Sequence, residues 1–157
     1  MVQAVMFSSA TDEWETPQAF FDALDREFHF TLDVAASMLN AKCGAYLTQE
    51  DDALGIEWGM CGYAGPMVCW CNPPYSRGLQ KKFIAKAAAE RLKGVTTVML
   101  LPARTDTKAF HAHIYDASLW QAREGVEIRL IPGRLKFGGA ANSAPFPSMV
   151  VIFRGRV

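Results

Sequence analysis

The sequence predicts an α/β fold: a mostly parallel sheet that finishes in an antiparallel pair of C-terminal strands, with helices on both faces. Three observations predict it. Apolar strand-like runs alternate with amphipathic helical stretches along most of the chain. The run Thr96–Leu101 is almost continuously apolar, as a central parallel strand covered on both sides requires. After residue 126 the chain becomes strand-rich, with Pro132-Gly133 as a turn. At 157 residues, half of them hydrophobic, the expectation is one domain over residues 1–157 with a real core.

Taken in order, residues 1–13 are expected to be a mobile lead-in. Thr16-Pro17 reads as a helix start, with Thr16 as N-cap and Pro17 at the first helical position. Phe20, Phe21, Leu24 and Phe28 follow at helical spacing, with acidic residues between them. A short strand is expected to end near Asp33, and Val34-Ala35-Ala36-Ser37 then forms a tight loop. A carboxylate followed by small residues at a strand end suits a ligand with an amine and hydroxyls, and equally suits a loop cap. Ala45–Thr48 reads as a second short strand, followed by the acidic turn Gln49-Glu50-Asp51-Asp52. Gly59–Pro66 is a glycine-rich connector.

Met67-Val68-Cys69-Trp70-Cys71 is a strand that ends abruptly in Asn72-Pro73-Pro74-Tyr75. Neither proline has an N–H to give a ladder, so the strand stops there. An amide, a fixed carbonyl and an aromatic ring are left at its carboxyl edge, where open α/β sheets bind ligands. Leu79–Lys93 is the next helix, apolar on one side and basic on the other. The Thr96–Leu101 strand ends at Pro102, and Arg104-Thr105-Asp106-Thr107 caps an expected helix from Lys108 to Ala117. Val126–Ile131, Arg134–Phe137 and Ser148–Phe153 are the last expected strands. Gly138–Pro147 is a loop of small residues.

Net charge is zero, but its distribution is uneven. Residues 1–76 hold two basic and eleven acidic side chains; residues 77–157 hold fourteen basic and five acidic ones. This asymmetry points to a polyanion-facing second half. No signal or transit pattern opens the chain, and no apolar run reaches the ~18–20 residues of a membrane helix. A cytoplasmic protein without a membrane partner is expected. The four cysteines, Cys43, Cys61, Cys69 and Cys71, form no C-x-x-C pair, which argues against zinc and thioredoxin chemistry. No metal is expected.

The pieces together resemble the class I methyltransferases that use S-adenosylmethionine, and more narrowly the phage-type DNA N-6-adenine methyltransferases. The resemblance lies in Trp14-Glu15-Thr16-Pro17, Leu32-Asp33-Val34-Ala35-Ala36, Asn72-Pro73-Pro74-Tyr75, Leu101–Thr107 and Gly133–Phe137. It implies a Rossmann-like fold and S-adenosylmethionine as cofactor. Thr16 and Pro17 would bind its methionine end, with Trp14 and Glu15 shaping that pocket. Asp33, Ala35 and Ala36 would line the cofactor loop, and Asp51 or Asp52 would reach its ribose or adenine. Asn72, Pro73, Pro74 and Tyr75 would form the active site, with Asn72 also beside the cofactor. DNA would be the substrate, in the cytoplasm of a bacterial host, for a phage- or prophage-encoded enzyme. The usual glycines after the first strand are alanines here, and the interval between Asp33 and Asn72 leaves room only for short intervening strands.

The chemistry has its own logic. An exocyclic aryl amine is a poor nucleophile because its lone pair is delocalised into the ring. Two fixed acceptors, the Asn72 side-chain oxygen and the Pro73 carbonyl, favour a localised lone pair that can attack a sulfonium methyl in line. Tyr75 offers a face for a flipped base, and Phe137 or Phe146 can clamp the other face. Lys81, Lys82, Arg104, Lys108, Arg134 and Lys136 are candidates for phosphate contact, with Phe137 beside them. No separate target-recognition domain is expected. A protein glutamine amide or a cytosine N4 amine poses the same chemical problem, and a non-catalytic DNA- or S-adenosylmethionine-binding module is the alternative of another class.

Overall fold

A computed structural model describes residues 14–61, 64–76, 78–138 and 143–157. The expected lead-in over residues 1–13 lies outside the described residues, as do parts of the Gly59–Pro66 and Gly138–Pro147 loops. Helix α1 spans Gln18–Phe28 and α2 spans Leu79–Arg91. The strands are β1 (Leu32–Asp33), β2 (Val68–Cys71), β3 (Thr96–Pro102), β4 (Tyr115–Asp116), β5 (Gln121–Ala122), β6 (Val126–Leu130) and β7 (Ser148–Phe153).

The main sheet has the order β1-β2-β3-β7-β6. β1, β2 and β3 run parallel; β7 is antiparallel to both β3 and β6. The sheet is therefore evenly mixed, not mostly parallel. The antiparallel C-terminal pair is present as β6 with β7; Arg134–Phe137 forms no strand, and β7 enters the sheet between β3 and β6. Ala45–Thr48 also contributes less than expected. It joins the β1 edge through one parallel bridge, Asp33 with Tyr46, flanked by Leu47 N–H donating to the Asp33 carbonyl at 2.8 Å.

Strand alternation sorts the core into two clusters. Cys69, Cys71, Met99, Leu101, Val151 and Phe153 join Phe83, Ile84 and Ala87 of α2. Trp70, Val98, Leu100, Val150 and Ile152 join Phe21 and Leu24 of α1. The register explains the sharing: Cys69 lies opposite Thr97, Trp70 opposite Val98 and Cys71 opposite Met99. Residues 97–102 of β3 are buried throughout, so its apolar run needs no polar face. Trp58, fully buried, fastens the long connection between β1 and β2 by donating its indole N–H to the Ala53 carbonyl at 2.8 Å.

Three local readings are corrected. Pro17, not Thr16, is the residue preceding α1, and no side chain caps that end. The expected helix Lys108–Ala117 is only a short helical segment whose last turn, Phe110–Ile114, is π-helical. Tyr115 takes extended backbone and starts the β4–β5 hairpin, which ends the helix early. The basic face expected on α2 is partly used internally: Lys86 pairs at 2.8 Å with Glu90, a carboxylate with no surface exposure. No helix among the described residues is long and apolar enough to cross a membrane.

Candidate active site

β1 and β2 end side by side, with Asp33 in register with Trp70. Asn72 is the first residue past β2, so parallel pairing places Asp33 and Asn72 at one carboxyl edge. A cleft of about 360 Å³ opens there. Its lining includes Trp14, Glu15, Thr16, Asp33, Ala35, Ala36, Asp52, Asn72, Pro73 and Pro74. Residues far apart in sequence are thus brought together, most clearly where Asn72 meets Trp14, fifty-eight positions away.

The segment Trp14–Thr16 crosses this edge as a strap. Gly138 N–H donates to the Glu15 carbonyl at 2.9 Å, and the Lys42 ammonium lies 3.6 Å from the Glu15 carboxylate. Lys42 also donates to the Gln18 side chain at 3.0 Å. The strap determines the orientation of Asn72. Its Nδ2 donates to the Trp14 carbonyl and, at 3.1 Å, to the Thr16 hydroxyl oxygen. A carbonyl can only accept, so the NH₂ end of the amide must face the strap. Both amide protons are committed, and the buried Oδ1 has no partner. Thr16, 3% exposed, is enclosed with it.

Asp33 serves the loop that follows β1. Its two oxygens accept from the Ala35 and Lys42 N–H groups at 3.2 and 3.0 Å. Burial outweighs these bonds and raises its pKa to about 6. The two candidate acids of the 49–52 turn separate. Asp51 accepts from the Thr48 N–H and hydroxyl at 2.7 and 3.0 Å and closes that turn as a capping box. Asp52, the next residue, lines the cleft. Pro17 and Asp51 are not among the lining residues. Ser37, Asn40, Thr48, Gln49 and Ser76 are, although the sequence reading passed over them; the signal was their position directly after Asp33, before the acidic turn, or beside Tyr75.

Tyr75 is not among the cleft-lining residues; its ring packs into a group of rings. Trp14, Tyr75, Phe137 and Phe146 all lie within 6.4 Å of one another, centroid to centroid. The Tyr75 hydroxyl is buried without a partner, and burial holds its pKa well above the usual phenol value. Tyr75 also borders a second cavity of about 250 Å³, whose lining includes Lys81, Arg104, Thr107 and Lys108 and no carboxylate. Lys82, Arg134 and Lys136 are exposed and line neither cavity. Among the described residues, none of these six cations forms an ion pair with a carboxylate. No cluster of three or more His, Cys, Asp or Glu side chains among the described residues can hold a metal ion.

A mixed α/β sheet with a cleft at the carboxyl edge of its parallel strands is consistent with the methyltransferase class of folds. The family model for DNA N-6-adenine-methyltransferase (Dam) matches residues 3–156. The DNA N-6-adenine-methyltransferase of Haemophilus phage HP1 is 33% identical over 153 residues, covering 92% of this chain and 80% of that protein. The enzyme of the same name from Escherichia phage T1 is 34% identical over 100 residues, 63% of this chain and 39% of that protein. The chain belongs to the DNA N-6-adenine-methyltransferase family.

Proposed function

We propose that this chain methylates the N6 amine of adenine in DNA by direct in-line transfer from S-adenosylmethionine, acting on a base turned out of its stack. The observation that carries the reading is the state of Asn72: both amide protons are held by the strap, and the acceptor oxygen is left without a partner at the cleft edge. A buried acceptor of that kind is costly unless a substrate donor meets it.

The residues present fit the cofactor. The cleft volume falls within the range of small-molecule sites. Ala35 and Ala36 leave the backbone approachable, Asp52 offers a carboxylate suited to hydroxyls, and Glu15 and Thr16 border the Asn72 end. When bound, S-adenosylmethionine supplies an electrophilic methyl group on a sulfonium sulfur. The Asn72 Oδ1 and the Pro73 carbonyl would accept hydrogen bonds from the two N6–H groups and draw the lone pair out of conjugation. An amine so held would be ready to receive the methyl group that the cofactor supplies as its sulfonium becomes a thioether, with one N6 proton released to water. The consecutive prolines and the Thr16 bond keep the acceptors in place, so little reorganisation remains for the reaction step.

The cations Lys81, Arg104 and Lys108, gathered beside Tyr75, supply phosphate contacts next to the base. They favour nucleic acid over a protein glutamine amide as substrate. The Rossmann-like reading of the sheet and the single-domain reading of residues 1–157 belong to the same proposal. Incubating the protein with methyl-labelled S-adenosylmethionine and genomic DNA, then digesting the DNA to nucleosides, tests it. N6-methyl-2′-deoxyadenosine is the expected product; label in N4-methyl-2′-deoxycytidine or in protein alone would overturn the reading.

A further inference from the structure

We propose that Trp14 is the second plate of the target-base slot, so that the flipped adenine is held between the Trp14 indole and the Tyr75 ring. The proposal rests on the methyltransferase reading above and reassigns a residue within it. On sequence grounds Trp14 belongs to the cofactor pocket, and Phe137 or Phe146 faces Tyr75.

The ring geometry says otherwise. Trp14 and Tyr75 are nearly parallel, at 26° and 6.3 Å between centroids. Phe137 stands at 68° to Trp14 and 87° to Tyr75; Phe146 stands at 77° and 65°. The four rings thus form two facing plates and two edge-on walls. A base stacked on Tyr75 would meet only the edges of the phenylalanines, whereas Trp14 offers it a second face. Stacking on both sides needs about 3.4 Å per face, the rise between stacked bases, or about 7 Å in all. The Trp14 and Tyr75 centroids are 6.3 Å apart, so the two rings must part for a base to enter between them. The indole's two fused rings also match the area of a purine better than that of a pyrimidine.

The chemistry converges on the same spot. Tyr75 lies three residues from Asn72, and the Asn72 amide is bonded to the carbonyl of Trp14 itself. Whatever positions the Trp14 ring therefore positions the acceptor of the N6 protons. Trp14 also borders the cofactor cleft, which places the slot next to the methyl donor.

The experiment uses a duplex whose methylated adenine has been mapped, with 2-aminopurine substituted at that position. Bound to the wild-type protein, the probe is stacked on both faces and its fluorescence stays quenched. With Trp14→Leu it should brighten severalfold. On the unmodified duplex, Trp14→Leu should raise the DNA KM roughly ten- to hundredfold, the range for loss of one base-stacking ring. The Kd for S-adenosylmethionine should rise by a much smaller factor than the DNA KM, since Trp14 also borders the cofactor cleft. Trp14→Phe, which keeps a plate, should raise the DNA KM only a few-fold. Weakened cofactor binding with an unaltered DNA KM in either variant would overturn the proposal and return Trp14 to the cofactor cleft. Absence of N6-methyladenine with the wild-type protein would instead overturn the methyltransferase reading.

Discussion

The Asn72 side chain donates to the Thr16 hydroxyl oxygen at 3.1 Å, across fifty-six residues of sequence. The bond holds a residue at the end of β2 to the strap that precedes α1. It fixes the amide so that its oxygen, not its nitrogen, remains available.

Thr16→Val removes that acceptor while keeping the side chain's shape. Loss of one hydrogen bond worth roughly 1 kcal/mol should lower kcat about five- to tenfold. Thr16→Ser should restore most of the rate. Rapid-mixing single-turnover kinetics, with S-adenosylmethionine affinity measured in parallel, checks this. A change confined to cofactor affinity would show that Thr16 serves the cofactor rather than Asn72.

Lys81 lines the cavity beside Tyr75, and its sequence neighbour Lys82 does not. Lys81→Ala should therefore weaken DNA binding more than Lys82→Ala. It should also flatten the dependence of log Kd on log salt by about one unit, as expected when one phosphate contact is lost. Fluorescence anisotropy at several salt concentrations measures both. Equal effects from the two lysines would remove the cavity from the DNA path.

Asp51 and Asp52 should have separable roles. Asp51→Ala opens the capping box on Thr48 and should lower thermal stability with no change in cofactor affinity. Asp52→Ala should weaken S-adenosylmethionine binding with little loss of stability. Calorimetric titration combined with thermal melts resolves the two.

Burial raises the Asp33 pKa from 3.8 to about 6. The folded chain therefore holds this proton more tightly than the unfolded chain does. The associated stability is fully present below about pH 4 and is lost as pH rises through 6, amounting to roughly 2–3 kcal/mol. Denaturant titrations at intervals from pH 4 to 7 should show Asp33→Asn lacking this component of the pH dependence. Parallel pH profiles for the two proteins would contradict it.

The position of the candidate cleft was largely legible because it lies at strand ends. Two prolines after Cys71 had to stop β2, and Asp33 had to lie at the end of a short strand; parallel pairing then joined them. The strap was legible only as a motif. Which proton of Asn72 meets which atom of Trp14 or Thr16 depends on tertiary packing that spacing does not encode. Ring orientation was hidden for the same reason: Trp14, Phe137 and Phe146 are each plausible partners for Tyr75 by composition. Arg134–Phe137 misled because its alternation resembles a strand. Phe137 is buried in the ring cluster instead, and Leu135 bonds through its carbonyl to Ala144 at 2.8 Å, outside the sheet. The place of β7 between β3 and β6 was likewise invisible, since an apolar strand buried on both faces reads the same beside either neighbour.

The most direct test is the methylation rate of Asn72→Ala beside its S-adenosylmethionine affinity. The alanine removes the acceptor and leaves the cleft open. Methyl transfer should fall by about a hundredfold or more, the scale for removing one preorganised polar group from a transition state. Calorimetric cofactor binding should remain measurable. Turnover near the wild-type rate would place the chemistry elsewhere and contradict the role of Asn72.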